Sequence, residues 1–269
     1  MPWTMLLWDG AIEGLLLSAA MTCAWAIQQR SGNSSWIDFG WTTSVALAAA
    51  GGALFGAGTE GVDVRRLVVA ALIACWGFRL GGHLLGRALR GVDDPRYAAL
   101  AKQWGAAAPR RMFWFVQSQA VAGMPLVLAV VLAAGRLGAW PSWQDGLGTV
   151  TIAAAIAGAG LSDAQLRGFA AWPFNHGKVC DRGFWRWSRH PNYFFEWLGW
   201  VGFALIALPL AGGGSVGWFA LLAPLEMYGL LVYVSGIPPL EAHIAHSRPL
   251  AWARYRDTTS AFFPWPPRR

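Results

Sequence analysis

The chain has 269 residues, 55% of them hydrophobic and 13% charged, with a mean hydropathy of +0.38. That composition fits one large soluble domain or one compact membrane bundle, and long windows almost without charge (residues 42–59, 112–135 and 197–225) exclude the first. The net charge of +7 does not point to nucleic acid, because the basic residues fall beside the apolar segments, where anionic headgroups and a phosphorylated cofactor are the natural partners.

In chain order the apolar runs predict an all-α, polytopic membrane bundle of seven spans forming one domain, 1–269. The first residues lack a basic region and a cleavage site, so no removable signal peptide is expected. A first span, about 5–27, carries Glu13, and a second, about 37–58, opens at Asp38. The third, about 64–86, places Arg79, His83 and Arg87 four residues apart, hence on one helical face. The stretch 87–111 is long enough for a short interfacial helix before a fourth span at about 112–134. The fifth, about 146–166, ends with Asp163 and Arg167 sharing a face. After the segment 168–191, a sixth span at about 192–211 starts with Asn192 and Glu196 on one face. The seventh, about 216–237, contains Glu226 and stops at Pro238-Pro239, and Pro264-Trp265-Pro266-Pro267 forms an extended tail. The motif-bearing half is about 112–269.

Charge gives the expected orientation. With the N-terminus outside and the C-terminus inside, 17 of the 21 Lys and Arg lie inside, only Arg65, Arg66 and Arg136 lie outside, and Arg79 sits within a span. Trp36, Trp41, Trp140, Trp143, Trp185 and Trp187 fall near segment ends, as interfacial aromatics do. The three cysteines are scattered and imply no disulfide framework.

Several motifs are set aside. Gly56–Gly61 spells G-x-G-x-x-G, but a membrane helix precedes it instead of a strand. Gly213–Gly217 spells G-x-S-x-G in a turn with no sheet to hold it. Asn33-Ser34-Ser35 is a sequon on the inside, and His243 and His246 lack a clustered third metal ligand.

The most informative stretch is 177–196, which gathers Lys178, Arg182, Arg186, Arg189, His190, Asn192, Asp181 and Glu196 at the mouth of an apolar segment. A carboxylate or guanidinium in hydrocarbon needs a partner or water, at a cost of at least about 2.5 kcal/mol at mid-depth. Clustering of such groups therefore predicts a polar cavity open to the cytoplasm. Arg and Lys there suit phosphate, carboxylates suit ribose hydroxyls or a carboxamide, and the apolar remainder suits a lipid-like substrate.

These residues also resemble a family. Ser162-Asp163-Ala164-Gln165, Gly183-Phe184-Trp185-Arg186, Ser188-Arg189-His190-Pro191-Asn192-Tyr193 and Glu196 are similar to the C-terminal domain of steroid 5-alpha-reductases, and more closely to the DUF1295 branch. Trp36–Trp41, Trp76–Gly81, Asp94-Pro95-Arg96-Tyr97, Ser235–Glu241 and Tyr255–Trp265 extend the resemblance over nearly the whole chain. It implies a seven-helix membrane reductase that uses NADPH to reduce a carbon–carbon double bond in a sterol-like or isoprenoid lipid, and the Ala/Gly/Arg-rich composition without organelle signals points to a bacterial inner membrane. By position it implies that Asp163, Arg167, Lys178, Arg189, His190, Asn192, Tyr193, Glu196, Glu241 and Tyr255 surround the cofactor. Asp38, Arg79 and His83 are the candidates for polarising the substrate carbonyl, His83 or a protonated Asp38 as donor and Arg79 as fixed charge. Two other readings remain open: a membrane methyltransferase using S-adenosylmethionine, which also carries Arg-His-Pro-x-Tyr, and a non-catalytic lipid-binding protein.

Overall fold

The computed structural model describes residues 3–56, 61, 63–209 and 215–268. Among these there are helices, turns and loops but no strand. The helices are α1 (Trp3–Ser31), α2 (Ser35–Phe55), α3 (Val64–Leu89), α4 (Pro95–Trp104), α5 (Ala108–Ala134), α6 (Trp143–Ala171), α7 (Pro191–Ala207), α8 (Leu222–Gly229), α9 (Ile237–Ser247) and α10 (Pro249–Thr258). Short 3-10 turns cover 105–107, 173–175, 183–186 and 215–221, and one π turn covers Leu230–Val234.

Five helical stretches are long and apolar enough to cross a membrane: Trp8–Ser31, Val64–Leu89, Arg96–Ala134, Trp143–Ala171 and Ser215–Ser247. The other two expected spans are helical at the expected places. However, α7 is only 17 residues long, and α2 begins with Ser35, Asp38, Thr42, Thr43 and Ser44. About 20 apolar residues are needed to span the hydrocarbon. Large apolar side chains line the outside of the helices, among them Leu15, Leu47, Phe55, Phe78, Val121 and Val150, each more than 60% exposed. Such a surface is made for contact with lipid. The helix expected within 87–111 is α4, and Pro238 and Pro239 stand in the first turn of α9, where a missing N–H breaks no intrahelical bond.

The chain groups into two compact units, 1–149 with 203–223, and 150–202 with 224–269. No linker separates them, because the boundaries fall inside α6, α7 and α8.

In the first unit α1, α2, α3 and α5 pack together around Leu17, Met21, Ile37, Val45, Ile73, Met112 and Leu126, all essentially without exposure. Between apolar helices in lipid, close van der Waals packing replaces the hydrophobic drive, and small residues permit it. A Cβ at Gly40 would lie 2.7 Å from the Ala24 Cβ, and one at Gly77 2.5 Å from the Ala46 Cβ. The Gly77–Gly81 pair is therefore an intrachain contact with α2. In the second unit a Cβ at Gly158 would meet the Phe195 ring at 2.5 Å, so the same device brings α6 against α7.

Candidate functional site

The second unit joins the motifs of the 162–196 region to the end of the chain. At the turn 183–186, Gly183 has φ +59°, and a Cβ there would meet the Gln165 amide, whose Oε1 accepts the Phe184 N–H at 3.0 Å. Trp185 Nε1 donates to Ser162 O at 2.9 Å. These bonds fasten the turn to the last turns of α6. Tyr255 of α10 is buried and donates its hydroxyl to Trp185 O, while Ser188 Oγ donates to Phe262 O at 2.8 Å. Burial holds the Tyr255 phenol far above its ordinary range, so it acts as a donor only.

Arg189 and Glu241 form the centre of this network. Arg189 Nε and Nη2 meet the two Glu241 oxygens at 2.8 and 3.3 Å, and Nη1 donates to Arg256 O at 3.0 Å and Thr259 O at 2.7 Å. The guanidinium also lies 5.4 Å from the Trp252 ring. His190, 1% exposed, places Nε2 at 2.9 Å from Glu241 Oε1, and its Nδ1 has no hydrogen-bond partner. This arrangement requires the neutral tautomer with the proton on Nε2. Burial lowers the His190 pKa below its ordinary value, against the pull of Glu241, and keeps the ring neutral.

Asn192 Nδ2 donates to Asp163 Oδ1 at 3.1 Å, which brings together two residues 29 apart. Tyr193 stacks on His190, and Tyr193 and Glu196 are half-buried along α7. Arg167 and Lys178 are exposed. Of the expected cofactor residues, Asp163 and Asn192 thus form one pair, and Arg189, His190 and Glu241 form another group that holds the C-terminal segment.

Two grooves of the second unit share Phe169, Asn175, Lys178 and Arg182. One, of about 600 Å³, reaches Gln165, Trp172 and Cys180, where burial raises the thiol pKa and keeps it protonated. The other, of about 490 Å³, is lined by Lys178, Arg182, Arg186 and Arg254 with the single carboxylate Asp181. Among the described residues the charged ends of these four cations make no ion pair or hydrogen bond with protein. Such a groove has the charge that suits a polyanion. Sequence reasoning placed Lys178, Arg182 and Arg186 in the phosphate-suited cluster, whereas Arg254 counted only toward topology, and its convergence with them carries no local signature.

In the first unit Asp38 accepts from Tyr97 Oη at 2.6 Å and from Arg96 Nη2 at 2.9 Å. Arg96 also binds Asp94, which caps α4 by accepting the Arg96 N–H at 2.9 Å and pairs with Arg87 at 2.9 Å. Burial pushes the Asp94 carboxyl up, but its bonds to Arg96 and Arg87 outweigh that and hold it at about 2. Gln119 donates to Tyr97 Oη at 3.0 Å. Asn33, of the sequon, is buried and donates to Ala88 O at 2.9 Å. Arg79 and His83 are half-buried on α3. Arg96 and Tyr97 were quoted for their resemblance but not as site residues, since their helix starts outside every predicted span.

Arg65, Asp145 and Arg136, all within 9% exposure, make a second buried network in this unit. Arg65 Nε and Arg136 Nη2 approach the Asp145 oxygens at 2.9 and 2.8 Å, and Arg65 also binds the Ala139 carbonyl. These arginines, expected as loop charges, are structural. Of the motifs set aside, residues 57–60 and 210–214 lie outside the described residues, as does Arg269.

The family described as protein of unknown function (DUF1295) matches residues 24–259. The chain belongs to the DUF1295 family. The match takes in both units and every motif above except the last residues of the tail. No curated protein and no solved structure matches.

Proposed function

We propose that this DUF1295 protein is a membrane oxidoreductase, 5-alpha-reductase-like, that reduces a carbon–carbon double bond conjugated to a carbonyl in a sterol-like or isoprenoid lipid, with NADPH as cofactor. The observation that carries the reading is the groove in which Lys178, Arg182, Arg186 and Arg254 converge without protein partners, on the unit that holds the Asp163–Asn192 pair. Four cations facing one carboxylate match the charge of a pyrophosphate with an additional phosphate. When bound, NADPH supplies a hydride. Asp163 and Asn192 hold each other in place and offer the carboxylate and amide that ribose and carboxamide groups require. Glu196, one turn beyond Asn192, belongs to the same face.

On the substrate side the reading assigns Asp38, Arg79 and His83. Asp38 receives two donors, Tyr97 and Arg96, which is the chemistry of a carboxylate. The hydrogen-bond donor to a developing enolate oxygen therefore falls to His83, with Arg79 as the fixed positive charge and Asp38 orienting its neighbours. The bias of cations supports a seven-span, N-out and C-in arrangement in a bacterial inner membrane, with the basic groove on the cytoplasmic side.

The test is thermal stabilisation of the detergent-solubilised protein by NADPH, NADH and S-adenosylmethionine, beside an Asn192→Ala, Glu196→Ala double variant. A shift with NADPH that the variant loses is expected. A shift with S-adenosylmethionine alone would replace the reading with methyl transfer.

A further inference from the structure

The larger groove of the second unit, about 600 Å³, adjoins the basic one, and Lys178 and Arg182 stand at the junction. Its walls come from the last two turns of α6 and the loop that follows, and among the described residues no carboxylate lines it. That loop is tied by its own backbone. The Asn175 N–H donates to Trp172 O at 2.9 Å, the Lys178 N–H donates to Asn175 O at 3.0 Å, and Gly177, with φ +76°, turns the chain. Trp172 and Phe174 are 60% and 79% exposed, and among the described residues neither ring packs on another aromatic ring. Bare aromatic faces beside a phosphate-binding groove suit a flat heterocycle, because a base stacks on such a face where its phosphates are held.

Two amides in the walls decide which heterocycle. Gln165 Oε1 is taken by the Phe184 N–H at 3.0 Å, which leaves the Nε2 hydrogens as donors. Asn175 Nδ2 is taken by the Phe169 carbonyl at 2.9 Å, which leaves Oδ1 as an acceptor. Backbone partners thus fix both amide orientations, and among the described residues neither remaining atom bonds to protein. Phe169, where Asn175 is anchored, lies one helical turn beyond Gln165 on the same face of α6. One donor and one acceptor complement the edge of adenine, which offers an amino donor beside a ring-nitrogen acceptor. Hypoxanthine carries a carbonyl in place of that amino group and loses the match.

We propose that this groove is an adenine pocket. The base stacks on the exposed Trp172 and Phe174 rings, Asn175 Oδ1 accepts its amino hydrogen, and Gln165 Nε2 donates to a ring nitrogen. The phosphates then pass Lys178 and Arg182 into the basic groove. This inference rests on the reading of the basic groove as a phosphate site, and the pocket serves any adenine nucleotide, whichever reaction follows.

The test is calorimetric titration of the purified full chain in a neutral maltoside detergent. The probes are NADPH and its hypoxanthine analogue, ATP and inosine triphosphate, and tripolyphosphate. The adenine member of each pair is expected to bind at least about tenfold more tightly than its hypoxanthine partner. Trp172→Ala should weaken NADPH and ATP by about tenfold and leave tripolyphosphate within about twofold. Trp172 is exposed and its indole makes no hydrogen bond among the described residues, so the variant should unfold at the wild-type midpoint without ligand. Base discrimination with ATP but no binding of NADPH keeps the pocket and removes the reductase reading. NADPH binding without base discrimination, or an equal loss of tripolyphosphate in Trp172→Ala, overturns the pocket and leaves that reading standing. A Trp172→Ala effect confined to lipid retention in native mass spectrometry also overturns the pocket and assigns the rings to the bilayer surface. No binding of any of the five probes removes both.

Discussion

His190 Nε2 lies 2.9 Å from Glu241 Oε1, 51 residues away, and the same oxygen accepts Arg189 Nε at 2.8 Å. One carboxylate therefore fixes two consecutive residues of the Ser188–Tyr193 motif to α9. The Arg189 guanidinium then reaches on to the carbonyls of Arg256 and Thr259.

Glu241→Gln keeps the shape but removes the charge shared by Arg189 and His190. Loss of charge-assisted bonds at a mostly buried site costs about 2–3 kcal/mol. The expected outcome is a lower unfolding midpoint together with faster proteolysis after residue 248, read by limited digestion in detergent.

The same cluster sets a pH dependence. The folded His190 pKa lies below the ordinary 6.5 because burial disfavours the imidazolium. The unfolded chain therefore takes up the proton first. This contribution is complete above about pH 6.5 and declines as pH falls toward the folded value. Asp94, held at about 2 against an ordinary 3.8, keeps its contribution throughout this range and loses it only as pH falls from 3.8 toward about 2. Midpoints recorded from pH 8 to 5 should fall for the wild type and fall less steeply for His190→Gln. Parallel slopes would contradict this account.

Asp145→Asn leaves Arg65 and Arg136 buried without their shared carboxylate. Removing one member of a buried ion pair costs about 3–5 kcal/mol. The loss should appear as poor recovery of folded protein, and Arg66→Ala, next in sequence but outside that network, should recover normally.

Arg182→Glu with Arg254→Glu reverses two of the four cations of the groove and disturbs no bond seen in the structure. If the groove holds phosphate, NADPH affinity should weaken by at least tenfold while the unfolding midpoint without ligand stays within about 2 °C, readable by calorimetry and thermal scanning.

The helical positions were legible because apolar runs bounded by Arg, Trp and Pro are long-range signals of a bilayer. Leu126 or Ile73 could be placed in a span with no knowledge of neighbours. The 162–196 residues were legible as a group because they cluster in sequence, and Asp163 and Asn192 do meet. The partners that complete each cluster were less visible. Tyr97 and Arg96 reach Asp38 across 59 and 58 residues, and although their motif carries the resemblance, nothing around them points to Asp38. Arg65 and Arg136 read as loop charges because no carboxylate at helical spacing marks either as paired, and only the fold brings Asp145 to both. The two-unit division was hidden for a related reason: its boundaries cut through helices, where composition does not change.

The buried Arg65–Asp145 pair has a consequence for synthesis. The two residues are 80 positions apart, so the arginine leaves the ribosome well before its partner. During that interval α3 must settle at the membrane with an uncompensated charge near its start, until α6 begins. The network therefore closes late in biogenesis, and defects in it should appear first as inefficient membrane integration of nascent chains.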